Sequence, residues 1–245
     1  MKRIELFGCP MDAATMEETV AEISTRIVTK QFTQHVAVNV AKLVHMQSDM
    51  QLAHSVRSCD LISVDGMGVV WAARMLGHAV PERVAGVDLF DRLLTEAASL
   101  GWPVYLLGAA DEVVARVATI CAIRYPRLQI AGYHHGYFGG DQWLVVDRIR
   151  ESGARLLFVA ITSPTKENFI ERWKASLGVD FVMGVGGTFD VVAGKVNRAP
   201  RWMQRAGMEW LFRVLQEPRR MWRRYLVTNS KFALMLGKAL TVQRH

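Results

Sequence analysis

The chain has 245 residues, 51% hydrophobic and 22% charged, and its 30 Lys+Arg against 23 Asp+Glu give a formal charge of +7. That length suits one large α/β domain or one domain with a tail, and the composition excludes intrinsic disorder. The charge is unevenly placed: residues 195–245 hold 12 Lys+Arg and only two acids, Glu209 and Glu217, a local net of +10, while residues 1–194 carry a net of −3.

The N-terminal residues contain no apolar run of the length a secretory signal needs, and no stretch reaches the ~18 uncharged apolar residues of a membrane span, so a cytoplasmic protein is expected. Cys9, Cys59 and Cys121 are far apart and lack metal-site spacing, which reads as buried thiols in a reducing compartment. In chain order the patterning predicts a strand over 3–7, a helix over 15–29, strands over 35–40 and 61–64, and helices over 66–76 and 87–99. Strand and helix then alternate through 104–107, 111–124, 129–133, 141–151, 156–160, 164–176 and 181–185, with Asp111 and Asp141 as expected N-caps. Several strands are nearly continuous apolar runs, as in a parallel sheet covered on both faces. The expected fold is therefore α/β, a Rossmann-like, mostly parallel sheet between helices, with a basic helical appendage from Lys195 onward.

Ligands of open parallel sheets bind beyond the carboxyl ends of the strands, which directs attention to the loops there. Asn39 follows one strand, as a ligand for a hydroxyl or a helix cap. Asp65, before Gly66-Met67-Gly68, is placed as a general base or as an N-cap. The turn from Gly184 to Asp190 lets backbone amides approach a phosphate, Thr188 adding a hydroxyl; a plain tight turn is the alternative. Arg83 reads as an anion clamp or as an ion-pair partner of Glu82 or Asp88. His134-His135 invite a metal, but neighbours on a strand point to opposite faces, and no metal site is expected. In the tail, Arg201-Trp202, Trp210 and Arg219-Arg220-Met221-Trp222-Arg223-Arg224-Tyr225 interleave cations with aromatics. Nucleic-acid binding, an interfacial membrane segment and a packing helix all fit that pattern.

These segments together resemble the WecG/TagA/CpsF family of glycosyltransferases, glycosyltransferase family 26. The likeness lies in Gly184-Val-Gly-Gly-Thr-Phe-Asp190, Ala193-Gly-Lys195, Arg198-Ala-Pro-Arg-Trp-Met203, Glu209-Trp-Leu211 and Gln216-Glu-Pro-Arg-Arg220, with Asp65-Gly66, Arg83, Gly86-Val-Asp88 and Gly136-Tyr-Phe138. The resemblance implies inverting, metal-independent and cofactor-free transfer of a hexose or N-acetylhexosamine (or its uronic acid) from a UDP-sugar. The implied acceptor is linked to undecaprenyl diphosphate at the cytoplasmic face of the inner membrane, in surface-polysaccharide or cell-wall polymer assembly. By that likeness Asp65 is the base, with Asn39 and Arg83 beside it. Gly186, Gly187, Thr188, Asp190 and Tyr137 serve the nucleotide, and residues 195–245 meet an anionic membrane through Arg213, Arg220, Arg223 and Arg224.

Two departures bear on sugar specificity. Ala37 stands where the family commonly has Thr, and Lys166 replaces a neutral amide. Lys166 is counted with the residues expected to bind the UDP-sugar, where it could neutralise a donor uronate or phosphate; a neighbouring carboxylate is the alternative. A homo-oligomer is compatible with the apolar tail, and nucleic acid is not an expected partner. The contrasting reading is a non-catalytic module that binds nucleotide or nucleic acid through the basic tail.

Overall fold

The computed structural model describes residues 1–242, apart from the side chain of Arg220. Its core is an eight-stranded sheet in the order β1 (Lys2–Leu6), β2 (Cys9–Ala13), β4 (Leu61–Val64), β3 (Thr33–Val38), β8 (Phe181–Gly184), β7 (Leu156–Ala160), β5 (Val104–Gly108), β6 (Ile130–His134). Only β1 runs antiparallel to its neighbour; the other pairings are parallel. The carboxyl ends of β2 through β8 therefore share one edge of the sheet.

Alternation along the central strands supplies a core on each face. Leu61, Leu106, Phe158, Phe181 and Met183 pack under α1 (Met16–Val28), α5 (Gly86–Leu100), α6 (Asp111–Arg124) and the short α9 (Thr188–Val192). The opposite face is covered by α2 (Val40–Met46), α3 (Met50–Arg57) and α4 (Met67–Met75) over β2, β3 and β4. Beyond them α7 (Gln142–Glu151) and α8 (Thr165–Trp173) lie over β5 and β7. Strands buried on both faces cannot alternate with polar residues, which is why these runs are apolar throughout.

Local signals set several boundaries. Thr15 and Glu18 form a reciprocal capping box at the start of α1, and Gly101, at φ +70°, ends α5 in the left-handed region. One of the two expected caps differs. Ala110 rather than Asp111 is the N-cap of α6, whereas Asp141 is the N-cap of α7, though its side chain makes no capping hydrogen bond. Strand β2 and helices α2 and α3 were not expected. β2 contains Pro10 and Asp12, poor strand formers, but the Asp12 carboxylate accepts from the Ile62 amide at 2.8 Å and pairs with Arg3.

From Arg201 the chain forms α10 (Arg201–Arg205), α11 (Glu209–Gln216) and the 25-residue α12 (Pro218–Val242). Phe232, Met235, Leu236 and Ala239 of α12 join the core formed by α2, α3 and α4, with Phe232 edge-on to Phe7 at 5.5 Å. Among the described residues no helix is long and apolar enough to cross a membrane.

Candidate functional site

Asn39 and Asp65 follow adjacent strands. The Asp65 amide donates to the Val38 carbonyl at 2.8 Å, which carries the β3–β4 ladder one step past the strand ends. Asn39 Oδ1 accepts from the Lys42 amide at 3.0 Å, so its carbonyl oxygen caps α2. Asp65 caps nothing: Gly66, at φ +94°, is the N-cap of α4 and turns the chain away behind the carboxyl group. Burial pushes the Asp65 carboxyl above its usual range; the Arg83 charge opposes this, Glu209 adds to it, and Arg213 and Lys42 oppose it further. Two of these neighbours come from α11, so the tail reaches the strand edge.

Arg83 takes neither of the partners expected for a surface ion pair. Its Nη1 donates to Glu209 Oε2 at 2.5 Å, while Asp88 receives both terminal nitrogens of Arg198 at 2.6 and 2.7 Å. Arg198 Nε also lies 3.7 Å from Glu209 Oε1. One carboxylate at the start of α11 thus joins two arginines, and Arg213 follows one turn later on the same helix face. Arg223 and Arg224 are exposed on α12, Arg223 lying 5.5 Å over the Trp222 ring. The expected contact through Arg220 concerns a side chain outside the described residues.

After β8, Gly186 adopts φ +53°, and a Cβ on Gly186 or Gly187 would meet nothing within 4 Å, so this turn faces open space. Thr188 is buried and donates its hydroxyl to the Val185 carbonyl at 2.8 Å. That hydroxyl closes the turn instead of pointing outward. Asp190 is partly buried, and its carbonyl accepts from the Lys195 amide at 2.9 Å, tying the tail's first residue to this loop.

A second tight turn at the same edge escaped the sequence reading. Gly108, at φ +120°, would set a Cβ 2.5 Å from the Ala160 carbonyl, and Ala109 follows at φ +57°. The signal was a strand ending in Gly-Ala-Ala before a helix, which matches no phosphate-loop pattern. Beyond β6 the histidines also differ from expectation: the ring centroids of His134 and His135 are 4.3 Å apart. His135 lies past the end of the strand, where alternation no longer applies. Tyr137 is 78% exposed, and its amide donates to His135 Nδ1 at 3.2 Å. Among the described residues no three His, Cys, Asp or Glu side chains are grouped so as to hold a metal ion.

Of the roles open to Lys166, the structure fills the last, a neighbouring carboxylate. Its Nζ lies 2.7 Å from Glu167 Oε1, which Lys42 Nζ approaches at 2.8 Å. The Lys166 stem covers Gly184, where a Cβ would stand 2.2 Å from Cε. Burial and the Lys42 charge lower Lys166 to about 8 against the pull of Glu167. Burial alone would raise Glu167, but the two ammonium groups hold it at about 2.

The family model described as "Glycosyl transferase WecG/TagA/CpsF family" matches residues 4–245. An N-acetylglucosaminyldiphosphoundecaprenol N-acetyl-beta-D-mannosaminyltransferase of Bacillus spizizenii is 39% identical over 169 residues, 69% of this chain and 65% of that protein. The protein of the same name from Bacillus subtilis is 36% identical over 181 residues, 74% of this chain and 70% of that protein. The match thus spans just under two thirds of the first relative's length.

Proposed function

The chain belongs to the WecG/TagA/CpsF family of glycosyl transferases, and on that premise we propose that it moves a hexose or N-acetylhexosamine, or its uronic acid, from a UDP-sugar to a saccharide on undecaprenyl diphosphate. The names of both relatives describe an acceptor of that kind. The observation that carries the reading is Asp65, an uncapping carboxyl group at a strand tip, ringed by Arg83, Glu209 and Arg213.

In this mechanism an acceptor hydroxyl oxygen attacks the anomeric carbon as Asp65 takes its proton. The bond from that carbon to the UDP oxygen breaks with inversion, and UDP leaves with the electron pair. A raised pKa suits the task, since a base accepts a proton more readily as its conjugate acid weakens. Charge on the departing diphosphate is met by Arg83 and Arg213 and by the amides of the Gly184–Asp190 turn, so the step calls for no metal. Tyr137 flanks the nucleotide. Residues 1–194 form the catalytic body, and residues 195–245 an appendage that meets an anionic membrane through Arg213, Arg220, Arg223 and Arg224.

Asp65→Asn tests the assignment. A positioned base contributes roughly 10²–10⁴-fold, so UDP release with a short-chain lipid-diphosphate acceptor should fall by that factor while UDP still binds. Undiminished turnover would remove Asp65 from the role. A donor screen in the same assay identifies the sugar.

A further inference from the structure

Lys42, Lys166 and Glu167 are 9%, 5% and 2% exposed, three charged groups inside the protein at the carboxyl edge of the sheet. Burying charge is costly, and a well-packed apolar trio is often at least as stable, so such a cluster invites a role beyond stability. Its connections supply one. Lys42 clasps the turn between β3 and α2 from both sides: its Nζ donates to the Ala37 carbonyl at 3.0 Å, and its amide donates to Asn39 Oδ1 at 3.0 Å. Between those two residues, Val38 offers the carbonyl that accepts the Asp65 amide. Glu167, on α8, holds the Lys42 ammonium in place through Oε1, and Lys166 meets the same oxygen while packing on Gly184 before the glycine turn.

We propose that the Lys42–Glu167–Lys166 cluster is a positioning device, in which Glu167 holds Lys42 against the Ala37 carbonyl and so fixes the Asn39 turn and the Asp65 carboxyl group relative to each other. The catalytic part of this inference rests on the reading of Asp65 as the base. An apolar contact between α2 and α8 would let the turn shift, whereas an ion pair whose ammonium also donates to the Ala37 carbonyl defines both distance and direction. Glu167 touches no reacting atom and acts through Lys42. Lys166 supplies the second cation that keeps Glu167 ionised in its buried place.

The test uses the full-length protein and three variants, Glu167→Gln, Lys166→Met and the double change Lys42→Met with Glu167→Met. Displacement of a catalytic group by an ångström can lower a rate on the order of 100-fold. Glu167→Gln is therefore expected to lower kcat by about that factor with little change in donor KM, and to speed hydrogen exchange at the Asp65 amide. Glu167→Gln leaves two buried ammonium groups without a carboxylate and the double variant leaves only Lys166, so the double variant should recover Tm relative to Glu167→Gln while kcat stays low. Lys166→Met leaves the Lys42–Glu167 pair and should affect kcat much less than Glu167→Gln.

Recovery of kcat together with Tm in the double variant would reduce the cluster to a structural role and overturn the proposal. So would unchanged exchange at Asp65 in Glu167→Gln. If the wild-type chain transfers no sugar although that exchange responds, the transferase reading fails and the positioning of the turn stands.

Discussion

Asp65 shows how position gives a common side chain an uncommon property. Its carboxyl group follows a strand whose residues are all buried, and burial raises its pKa more than Arg83 lowers it. The acid limb of kcat/KM should therefore lie above the ordinary carboxylate range, near 4. It should move higher still in Arg83→Met, because the cation that favours the ionised form is gone; a limb that moves down would contradict this. The same shift has a stability consequence. With the folded pKa raised, the contribution of Asp65 to stability is full below its unfolded pKa and is lost as pH rises through the folded value. At neutral pH Asp65→Asn should thus leave Tm unchanged or raised even as it slows transfer by roughly 10²–10⁴-fold, separating the proposed loss of the base from loss of the fold. Asn39 and Asp65 were legible in the sequence because polar residues stand out where apolar strands end, and Arg83 because it is a cation in the loop between two helices. Their partners were not, since Glu209 lies 126 residues beyond Arg83.

At the level of elements, α11 and α12 do different work. α11 brings Glu209 and Arg213 to Asp65, while α12 closes the core over β3 and β4 through Phe232, Met235 and Leu236. Removing everything from Arg201 onward strips Arg83 of its carboxylate and uncovers that core. Truncation is expected to reduce turnover on a lipid-linked acceptor at least about tenfold, consistent with lost transition-state charge stabilisation. Arg213→Met should lower kcat in the intact chain, because Arg213 is exposed and its loss leaves the packing untouched. Full activity in both proteins would show that the tail is dispensable. A basic helical appendage was readable in advance, but which side of α12 faces the body depended on Phe7, Leu43 and Met46 arriving from elsewhere in the chain.

At the scale of the whole molecule, the +7 charge resolves into a body at −3 and a tail at +10. The tail also exposes Trp202 at 63%, Trp222 at 49% and Leu226 at 59%, so its cations lie beside uncovered apolar groups. Such a surface matches the headgroup region of an anionic bilayer, where each Lys or Arg contributes about 1 kcal/mol. The full chain should float with anionic liposomes and be partly released by salt, since exposed charges are screened beyond about 10 Å at 0.1 M. Strong RNA retardation in a gel without lipid association would favour a nucleic-acid module instead.

The sequence by itself determined the α/β class, most strand and helix positions and the polar residues at the strand tips. Each of these depends on periodicity and propensity over a few neighbouring residues. It did not show β2 as a strand, and it left Asn39 and Asp65 each with two roles. Tertiary structure supplied β2 and the surroundings of Asn39 and Asp65, because the Asp12 bond to Ile62, the Arg83–Glu209 pair and the Lys42–Glu167 pair are contacts between distant segments. Local pattern records which residues are polar; only the packed sheet edge fixes which of them meet.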